Sequence, residues 1–331
     1  MLPLVESLIS PKTLVETYPL TVALEKQVAA HREQVNSIMN GEDPRKIIVV
    51  GPCSIHDPKA ALEYGERLAE VQKQFPNLLL VMRVYFEKPR TTVGWKGFIN
   101  DPELNGSFDI NRGLEMAREL CLELLSLGLP LATEVLDPFT IKYLTGIFSW
   151  VAIGARTTES QTHREIASGL PMCVGFKNGT NGSVKVATDA ILSAAYPHRY
   201  MGMDHDGKVG IVHAEGNVNT HIVLRGGSEG PNYSESDINE AVVAASAQSL
   251  NHNVMVDCSH ANATGYFSNQ LHVGRLVADN AFVKGIMIES NLHEGNQKIS
   301  DNMLYGVSIT DACIGWEHTE ELLSYINQKA I

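Results

Sequence analysis

Cationic side chains recur where short apolar segments of the sequence end. The set comprises Arg83, Lys88, Arg90, Arg156, Lys177 and Arg225. A single arginine is most often a surface residue paired with a nearby carboxylate, but repetition at four segment ends favours a shared site. If these ends meet, the like charges repel one another unless an anion lies between them. Arginine binds phosphate and carboxylate through two parallel hydrogen bonds, and lysine adds a movable charge. The pattern predicts a pocket for phosphorylated or carboxylated small molecules.

Side chains that could bind a metal occupy similar positions. Cys53 follows one apolar segment, His260 follows another, Glu289 ends a third, and Asp311 lies in SITDACIGWE. A thiolate, an imidazole and two carboxylates suit a divalent transition ion better than Ca²⁺ or Mg²⁺. Because these residues are scattered along the chain, their spacing is a weak motif. A buried structural cysteine and a hydrogen-bonded structural histidine remain the alternatives for Cys53 and His260.

The segments that must position these side chains alternate with amphipathic helices. The eight apolar runs are KIIVVG, LLLVMRVYF, PLATEVL, WVAIGAR, MCVGFK, HIVLRGG, VMVDCSH and GIMIES. Eight alternating units predict an α/β fold, a (β/α)8 TIM barrel, in which working residues lie at the C-terminal ends of the strands. An open doubly wound sheet is the alternative architecture, but no GxGxxG follows the first predicted strand.

Two segments fall outside the eight units. Residues 1–45 form a predicted N-terminal extension, irregular at first and then helical over residues 22–41, and the barrel is predicted over 46–331. Residues 198–214 contain two β-like runs joined by Asp206-Gly207. This segment predicts an inserted hairpin, because its two runs would otherwise raise the strand count to ten.

Composition and charge exclude several classes of partner. A chain with 44% hydrophobic residues and a net charge of −12 is typical of a globular protein that would not attract nucleic acid or an anionic membrane. No apolar stretch approaches the ~20 residues that span a bilayer. The five cysteines lack CxxC spacing and the start lacks a secretory signal, which together predict a cytoplasmic location. Cys121 and Cys173 are predicted to lie in the core.

Longer motifs in the sequence resemble one enzyme family. They are GPCSIHDP, MRVYFEKPRTTVGWKGFINDP, AIGARTTESQ, GFKNGTNG, HIVLRGG, VDCSHAN, MIESNLHEGNQ and SITDACIGWE. Together they resemble the type I (class I alpha) 3-deoxy-D-arabino-heptulosonate 7-phosphate (DAHP) synthases, from about residue 2 to the C-terminus. The resemblance implies an aldol-like condensation of phosphoenolpyruvate with D-erythrose 4-phosphate and water. The products would be DAHP and phosphate, in the first step of the shikimate pathway.

The resemblance also implies roles for individual residues. One divalent ion per subunit, with Mn²⁺ favoured and Fe²⁺, Co²⁺ or Zn²⁺ open, would be bound by Cys53, His260, Glu289 and Asp311. The substrate-binding residues would be Arg83, Lys88, Pro89, Arg90, Thr91, Glu134, Ala155, Arg156, Lys177, Arg225, His260 and Asp311. Of these, Lys88 to Thr91 match the part that receives erythrose 4-phosphate. The residues expected to take part in the chemistry itself are Lys88, His260 and Glu134.

Assembly and control are implied by the same resemblance. The N-terminal extension and the hairpin are expected to form a homodimer or homotetramer. An aromatic amino acid is a candidate inhibitor, but Pro171 stands where phenylalanine-inhibited members carry a serine. Tyrosine, tryptophan or no inhibitor therefore remain open.

Two other functions stay in view. The first is 3-deoxy-D-manno-octulosonate 8-phosphate synthase, which uses arabinose 5-phosphate, but KPRTT replaces the KANRS-like stretch of that enzyme. The second is a barrel that binds phosphoenolpyruvate without turning it over, since fold alone does not fix function.

Overall fold

Eight parallel strands form a closed barrel in the computed structural model, which describes residues 4–330. The barrel strands are β1 (Lys46–Gly51), β2 (Leu78–Arg83), β3 (Leu131–Glu134), β4 (Trp150–Ile153), β5 (Cys173–Lys177), β8 (Thr220–Leu224), β9 (Val254–Asp257) and β10 (Val283–Glu289). They pair in this order, and β10 returns to β1 with Glu289 beside Gly51. The predicted TIM barrel is confirmed, and the open doubly wound sheet is wrong.

Helices cover the outside of the barrel. They are α1 (Pro11–Thr17), α2 (Val22–Met39), α3 (Pro58–Gln72), α4 (Ile110–Ser126), α5 (Thr140–Tyr143), α6 (Gln161–Ser168), α7 (Val184–Ala194), α8 (Glu235–Ser246), α9 (Asn269–Val277) and α10 (Trp316–Lys329). A short 3₁₀ helix, His260–Ala263, follows β9. The helices start where capping residues allow; the Asp57 carboxylate, for example, accepts from the backbone N–H of Lys59 and Ala60 at the start of α3.

The apolar runs became strands because both of their faces are buried. All six residues of β1 are buried, as expected for a parallel strand between a barrel interior and a helix layer. Side chains on the inner face form one cluster that includes Val49, Trp150 and Met287, and Val35 and Ile38 of α2 close it from below. Helix α2 therefore covers the floor of the barrel.

Three predicted elements differ from the structure. The residues before α2 were expected to be irregular, but Ser10 caps α1 and Pro11 fits its first turn. The second apolar run forms a strand only to Arg83. Val84 N still donates to Ala132 O of β3 at 2.8 Å, but Tyr85 O accepts from Ile55 N, in the loop after β1, at 2.9 Å. The fourth run stops at Ile153, so Arg156 lies in a turn beyond the strand.

The inserted hairpin lies outside the barrel. Its strands, β6 (His198–Met203) and β7 (Val209–Ala214), pair antiparallel and place Met201 directly opposite Ile211. These two side chains are 85% and 73% exposed. The hairpin thus presents an apolar outer face.

Cys121 and Cys173 are buried in the core, as predicted. Across residues 4–330, we find no helix with the length and apolar character needed to cross a membrane.

Candidate active site

A cavity of about 590 Å³ opens at the C-terminal ends of the barrel strands. The predicted site residues that line it are Arg83, Lys88, Pro89, Arg90, Glu134, Ala155, Arg156, Lys177, Arg225, His260, Glu289 and Asp311. Thr91 is exposed on the loop after β2 and, in the described chain, is not part of this lining. Cys53 is fully buried and lies behind Lys88 and Asp311, with its Sγ 2.9 Å from Lys88 Nζ.

Strand geometry explains why the cations converge. Arg83 and Lys177 are the last residues of β2 and β5, and Arg225 directly follows β8. Parallel strands of a barrel end at one rim, so residues far apart in sequence share one cavity. The arrangement provides positive charge from several directions around a space large enough for small anions.

Three potential metal ligands form a tight group. One ligand atom from each of Cys53, Glu289 and Asp311 lies within 4.8 Å of the others. The Cys53 thiol donates to Asp311 Oδ2 at 3.3 Å. His260 lies at the edge of this group, with Nε2 3.9 Å from Glu289 Oε1. A thiol and two carboxylates that converge in this way fit a divalent transition ion.

The charges around Cys53 support this fit. Burial and the nearby Glu289 carboxylate raise the pKa of the Cys53 thiol to about 12. Burial also opposes the charged form of Lys88, but Cys53, Glu289 and Asp311 reverse that effect and raise the pKa of Lys88. The local surplus of negative groups therefore favours cations, and a bound metal would stabilise the Cys53 thiolate.

Arg83 is held in one orientation although it is completely buried. Its Nη2 donates to Glu289 Oε1 at 3.2 Å, and its Nε donates to Pro52 O at 3.4 Å. The guanidinium carbon lies 3.9 Å from the centre of the Tyr85 ring, in a cation–π contact. Among residues 4–330, Nη1 has no hydrogen-bond partner. One nitrogen of Arg83 is thus buried without a partner in the described chain.

Glu134 reaches the cavity because a glycine faces it. Glu134 ends β3, and Gly154 directly follows the neighbouring strand β4. A Cβ atom on Gly154 would lie 2.2 Å from Glu134 Oε1. Any larger residue at position 154 would therefore displace this carboxylate.

Several residues of the site were missed in the sequence. Tyr85 and Asp257 were assigned to strands only, and Gly154 was not considered. Gln270 on α9 accepts from the backbone N–H of Glu289 at 2.8 Å and donates to its carbonyl at 3.1 Å. Their signal was proximity to predicted site residues: Tyr85 follows Arg83 by two residues, and Asp257 precedes His260 by three.

Asp257 forms a buried ion pair with Lys177, which lines the cavity. Its Oδ2 lies 2.9 Å from Lys177 Nζ, and both side chains are almost fully buried. Burial alone would raise the pKa of the Asp257 carboxyl, but His260 and Lys177 hold it well below its usual range. The carboxylate is therefore a fixed negative charge beneath the cavity.

A second cavity of about 480 Å³ lies between α5, α6 and the hairpin. Its lining includes Phe139, Leu144, Leu170, Pro171, Met201 and Val212. The cavity is largely apolar, with Arg32 and Lys142 as cations in its wall. It is suited to a ligand with an apolar ring and a charged end.

Comparisons with known proteins identify the family of the chain. A profile of the DAHP synthetase I family matches residues 21–324. The Tyr-sensitive phospho-2-dehydro-3-deoxyheptonate aldolase of Escherichia coli (strain K12) is 51% identical over 330 residues, covering 97% of this chain and 92% of the relative. The Phe-sensitive aldolase of the same strain is 48% identical over 327 residues, covering 96% and 93% of the two chains.

A solved structure extends the likeness to three dimensions. The phospho-2-dehydro-3-deoxyheptonate aldolase from Francisella tularensis SCHU S4 superposes with a TM-score of 0.98 at 44% identity, covering 100% of this chain and 98% of the other. The fold, the profile and the relatives confirm the resemblance seen in the sequence motifs. The chain belongs to the DAHP synthetase I family.

Proposed function

We propose that the barrel cavity condenses phosphoenolpyruvate with D-erythrose 4-phosphate and water to give DAHP and phosphate. The convergence of cations from four strand ends on one cavity, beside the Cys53, Glu289 and Asp311 group, carries the proposal. Two anionic substrates account for a number of cations that a single anion would not require.

Phosphoenolpyruvate lies among Arg83, Arg156, Lys177 and Arg225 in this proposal, with Ala155 contacting it. The free Nη1 of Arg83 gives a hydrogen bond to one of its charged groups. Arg156 is exposed at the mouth, whereas Lys177 is buried at the wall. Arginines on several sides of an anion fix its position as well as its charge.

Erythrose 4-phosphate lies on the loop after β2, at Lys88, Pro89, Arg90 and Thr91. Arg90 is the proposed partner of its phosphate. In the structure this side chain is exposed, and its Nε donates to Trp95 O within the same loop at 2.9 Å. Arg90 already lines the cavity, and binding of the sugar phosphate would bring the adjacent Thr91 toward it.

Cys53, His260, Glu289 and Asp311 are the proposed ligands of one divalent ion. We propose Mn²⁺ as the bound ion. Fe²⁺, Co²⁺ and Zn²⁺ also accept this donor set, and measured metal affinities would separate the four. When bound, the ion supplies Lewis acidity to a substrate oxygen.

Side chains of the protein then stabilise the charges that develop in the reaction and transfer its protons. C3 of phosphoenolpyruvate bonds to the aldehyde carbon, water adds to C2, and phosphate leaves with cleavage of its bond to carbon. Glu134 provides a negative charge facing C2 and positions the water. Lys88 Nζ donates to the developing alkoxide, and His260 is a second candidate for proton transfer. Preorganised charges of this kind supply much of the rate in comparable enzymes.

The test uses chelated protein with and without added Mn²⁺. Loss of the ultraviolet absorbance of phosphoenolpyruvate is followed with erythrose 4-phosphate or arabinose 5-phosphate as partner. We expect consumption that requires both Mn²⁺ and erythrose 4-phosphate. Consumption with arabinose 5-phosphate alone would favour the octulosonate synthase, and binding of phosphoenolpyruvate without turnover would favour the non-catalytic barrel.

The second cavity is the proposed site of an aromatic amino acid inhibitor. Its apolar wall and its cations suit an aromatic ring and a carboxylate, and two relatives are named as Tyr-sensitive and Phe-sensitive. Because Pro171 lines it, we expect inhibition by tyrosine or tryptophan rather than phenylalanine, and sensitivity to phenylalanine in Pro171→Ser. Activity unaffected by all three amino acids, in wild type and variant, would remove the inhibitory role.

The hairpin and the N-terminal extension are the proposed surfaces of a homodimer or homotetramer. Met201, Val209 and Ile211 are exposed together on the hairpin, and Leu4 and Val5 are more than 80% exposed. Apolar side chains grouped in this way mark interaction surfaces. Light scattering should show an oligomer that Ile211→Lys dissociates; a monomeric wild type would contradict the proposal.

A further inference from the structure

Four polar atoms of the protein lie within 3.0 Å of the Asp257 carboxylate, two at each oxygen. Oδ1 accepts from Ser259 N at 3.0 Å and from Ser259 Oγ at 2.6 Å. Oδ2 accepts from Lys177 Nζ at 2.9 Å and lies 2.8 Å from His260 Nδ1. A carboxylate has about four lone-pair directions, so this one is fully occupied. Its orientation cannot change without the loss of a bond in a completely buried place.

These contacts determine which nitrogen of His260 carries hydrogen. Ser259 Oγ lies 2.7 Å from His260 Nδ1, but its own hydrogen is directed to Asp257 Oδ1. Both neighbours of Nδ1 can therefore only accept, and Nδ1 must donate. A neutral imidazole with hydrogen on Nδ1 has its lone pair on Nε2. That atom faces Glu289 Oε1, at the edge of the metal-binding group.

The backbone conformation of His260 is strained, and the contact between its Nδ1 and Asp257 helps to hold it. His260 has φ of 55°, in the left-handed region that residues other than glycine rarely adopt. Such a conformation persists only where surrounding contacts require it. The bond from Nδ1 to Asp257 is one of those contacts, and it links the strained residue to the end of β9.

Lys177 contacts the same carboxylate oxygen of Asp257, Oδ2, as His260 does. It ends β5 and is 3% exposed, and its ammonium group meets Asp257 at the base of the cavity. A lysine side chain has several rotatable bonds and would otherwise occupy many positions. The same carboxylate thus contacts a cation of the anion pocket and a candidate metal ligand.

We propose that Asp257 is a positioning residue shared by the two halves of the site: it directs His260 Nε2 toward the metal group and Lys177 toward the anionic substrate. This inference rests on the proposed function, in which His260 binds the ion and Lys177 binds phosphoenolpyruvate. Asp257 itself touches neither, since four protein donors occupy its oxygens.

Asp257→Asn tests the inference because it preserves size. An asparagine side chain has one oxygen and one NH₂ group, so its NH₂ group must face either the two donors of Ser259 or those of Lys177 and His260. We expect the Kd for Mn²⁺, measured by electron paramagnetic resonance, to rise about 10–100-fold. The Kd for phosphoenolpyruvate, measured by calorimetry, should rise about tenfold or more.

Lys177→Met is the matched control. It removes the cation but leaves Asp257 and its contact with His260, so the Kd for phosphoenolpyruvate should rise about tenfold or more, whereas the Kd for Mn²⁺ should rise at most several-fold, as expected for the loss of one donor to the carboxylate. A metal affinity that falls equally in both variants would mean a general loss of site structure, and would overturn the specific role of Asp257.

Folding of each variant is checked by circular dichroism and thermal melting. If Asp257→Asn does not fold, Ser259→Ala replaces it. That change removes one donor to Oδ1 and leaves the carboxylate, and it should weaken Mn²⁺ binding several-fold with little effect on phosphoenolpyruvate. Unchanged Mn²⁺ affinity in the folded variant overturns the inference. A wild type that binds neither Mn²⁺ nor phosphoenolpyruvate would instead contradict the proposed function itself.

Discussion

Gly154→Ala should move the Glu134 carboxylate without disturbing the barrel. The new Cβ would lie 2.2 Å from Glu134 Oε1 and 3.1 Å from its Cδ. Ordinary contact needs about 3.5 Å, so the carboxylate must retreat by roughly 1 Å. The backbone of Gly154 is not in the left-handed region, so an alanine adopts the same conformation.

The size of the effect follows from this displacement. A catalytic group misplaced by about 1 Å can lower the rate by about 10²-fold, equivalent to ~2.7 kcal/mol of transition-state stabilisation. The cost to folding should be small, about 1 kcal/mol, because the atoms that must move belong to the end of a flexible side chain. We therefore expect a large fall in kcat with a nearly unchanged Tm.

Steady-state kinetics with saturating Mn²⁺ measure kcat and KM for phosphoenolpyruvate in this variant. Gly210→Ala is the matched control, since the described chain places no atom within 4 Å of the new Cβ and the residue lies on the exposed hairpin strand β7. The control should behave as wild type. A kcat of Gly154→Ala within about threefold of wild type, in a folded protein, would refute the placement of Glu134 at the reacting carbons.

Three further predictions address the metal group, the buried arginine and the response to acid. Cys53→Ala should abolish Mn²⁺-dependent turnover. Cys121→Ala is the control: it changes an equally buried cysteine of the core and should lower only Tm. Full activity of Cys53→Ala would remove the thiolate from the metal site. Tyr85→Leu removes the ring that faces Arg83, a desolvated cation–π contact worth ~2 kcal/mol, and should therefore raise the KM for phosphoenolpyruvate about 30-fold. Tyr85→Phe retains the contact and is the control. Equal KM values for both variants would contradict the role of the ring. Burial lowers the pKa of His221 from 6.5 to about 4, so its contribution to stability is complete above pH 6.5 and falls by about 3 kcal/mol as the pH drops to 4. Urea unfolding at neutral and acidic pH should show a smaller loss for His221→Gln than for wild type, and an equal loss would exclude this histidine as the cause.

The sequence contained enough information for the barrel and for most of the cavity. Buried parallel strands appear as short apolar runs, and their ends share one rim, so Arg156 and Lys177 could be placed together although neither is near the other in sequence. Helix starts depend on similarly local signals where a capping residue precedes a proline, as at Asp57.

Contacts between side chains were not readable in the same way. Asp257 and Tyr85 appeared as ordinary strand residues, because their roles depend on partners contributed by other strands or on the path of the chain after β2. The contact of Lys88 with Cys53 spans two different loops, and no local pattern specifies it. Such pairings depend on strand register and rotamers, which only the folded chain defines.

A crystal of the protein grown with Mn²⁺ and phosphoenolpyruvate tests the central claim most directly. The claim is that one cavity binds the metal and the anionic substrate side by side. The account predicts an anomalous scattering peak for Mn²⁺ within coordination distance of Cys53, Glu289 and Asp311, and phosphoenolpyruvate in contact with Arg156 and Lys177. A metal peak remote from Cys53, or phosphoenolpyruvate bound outside this cavity, would contradict it.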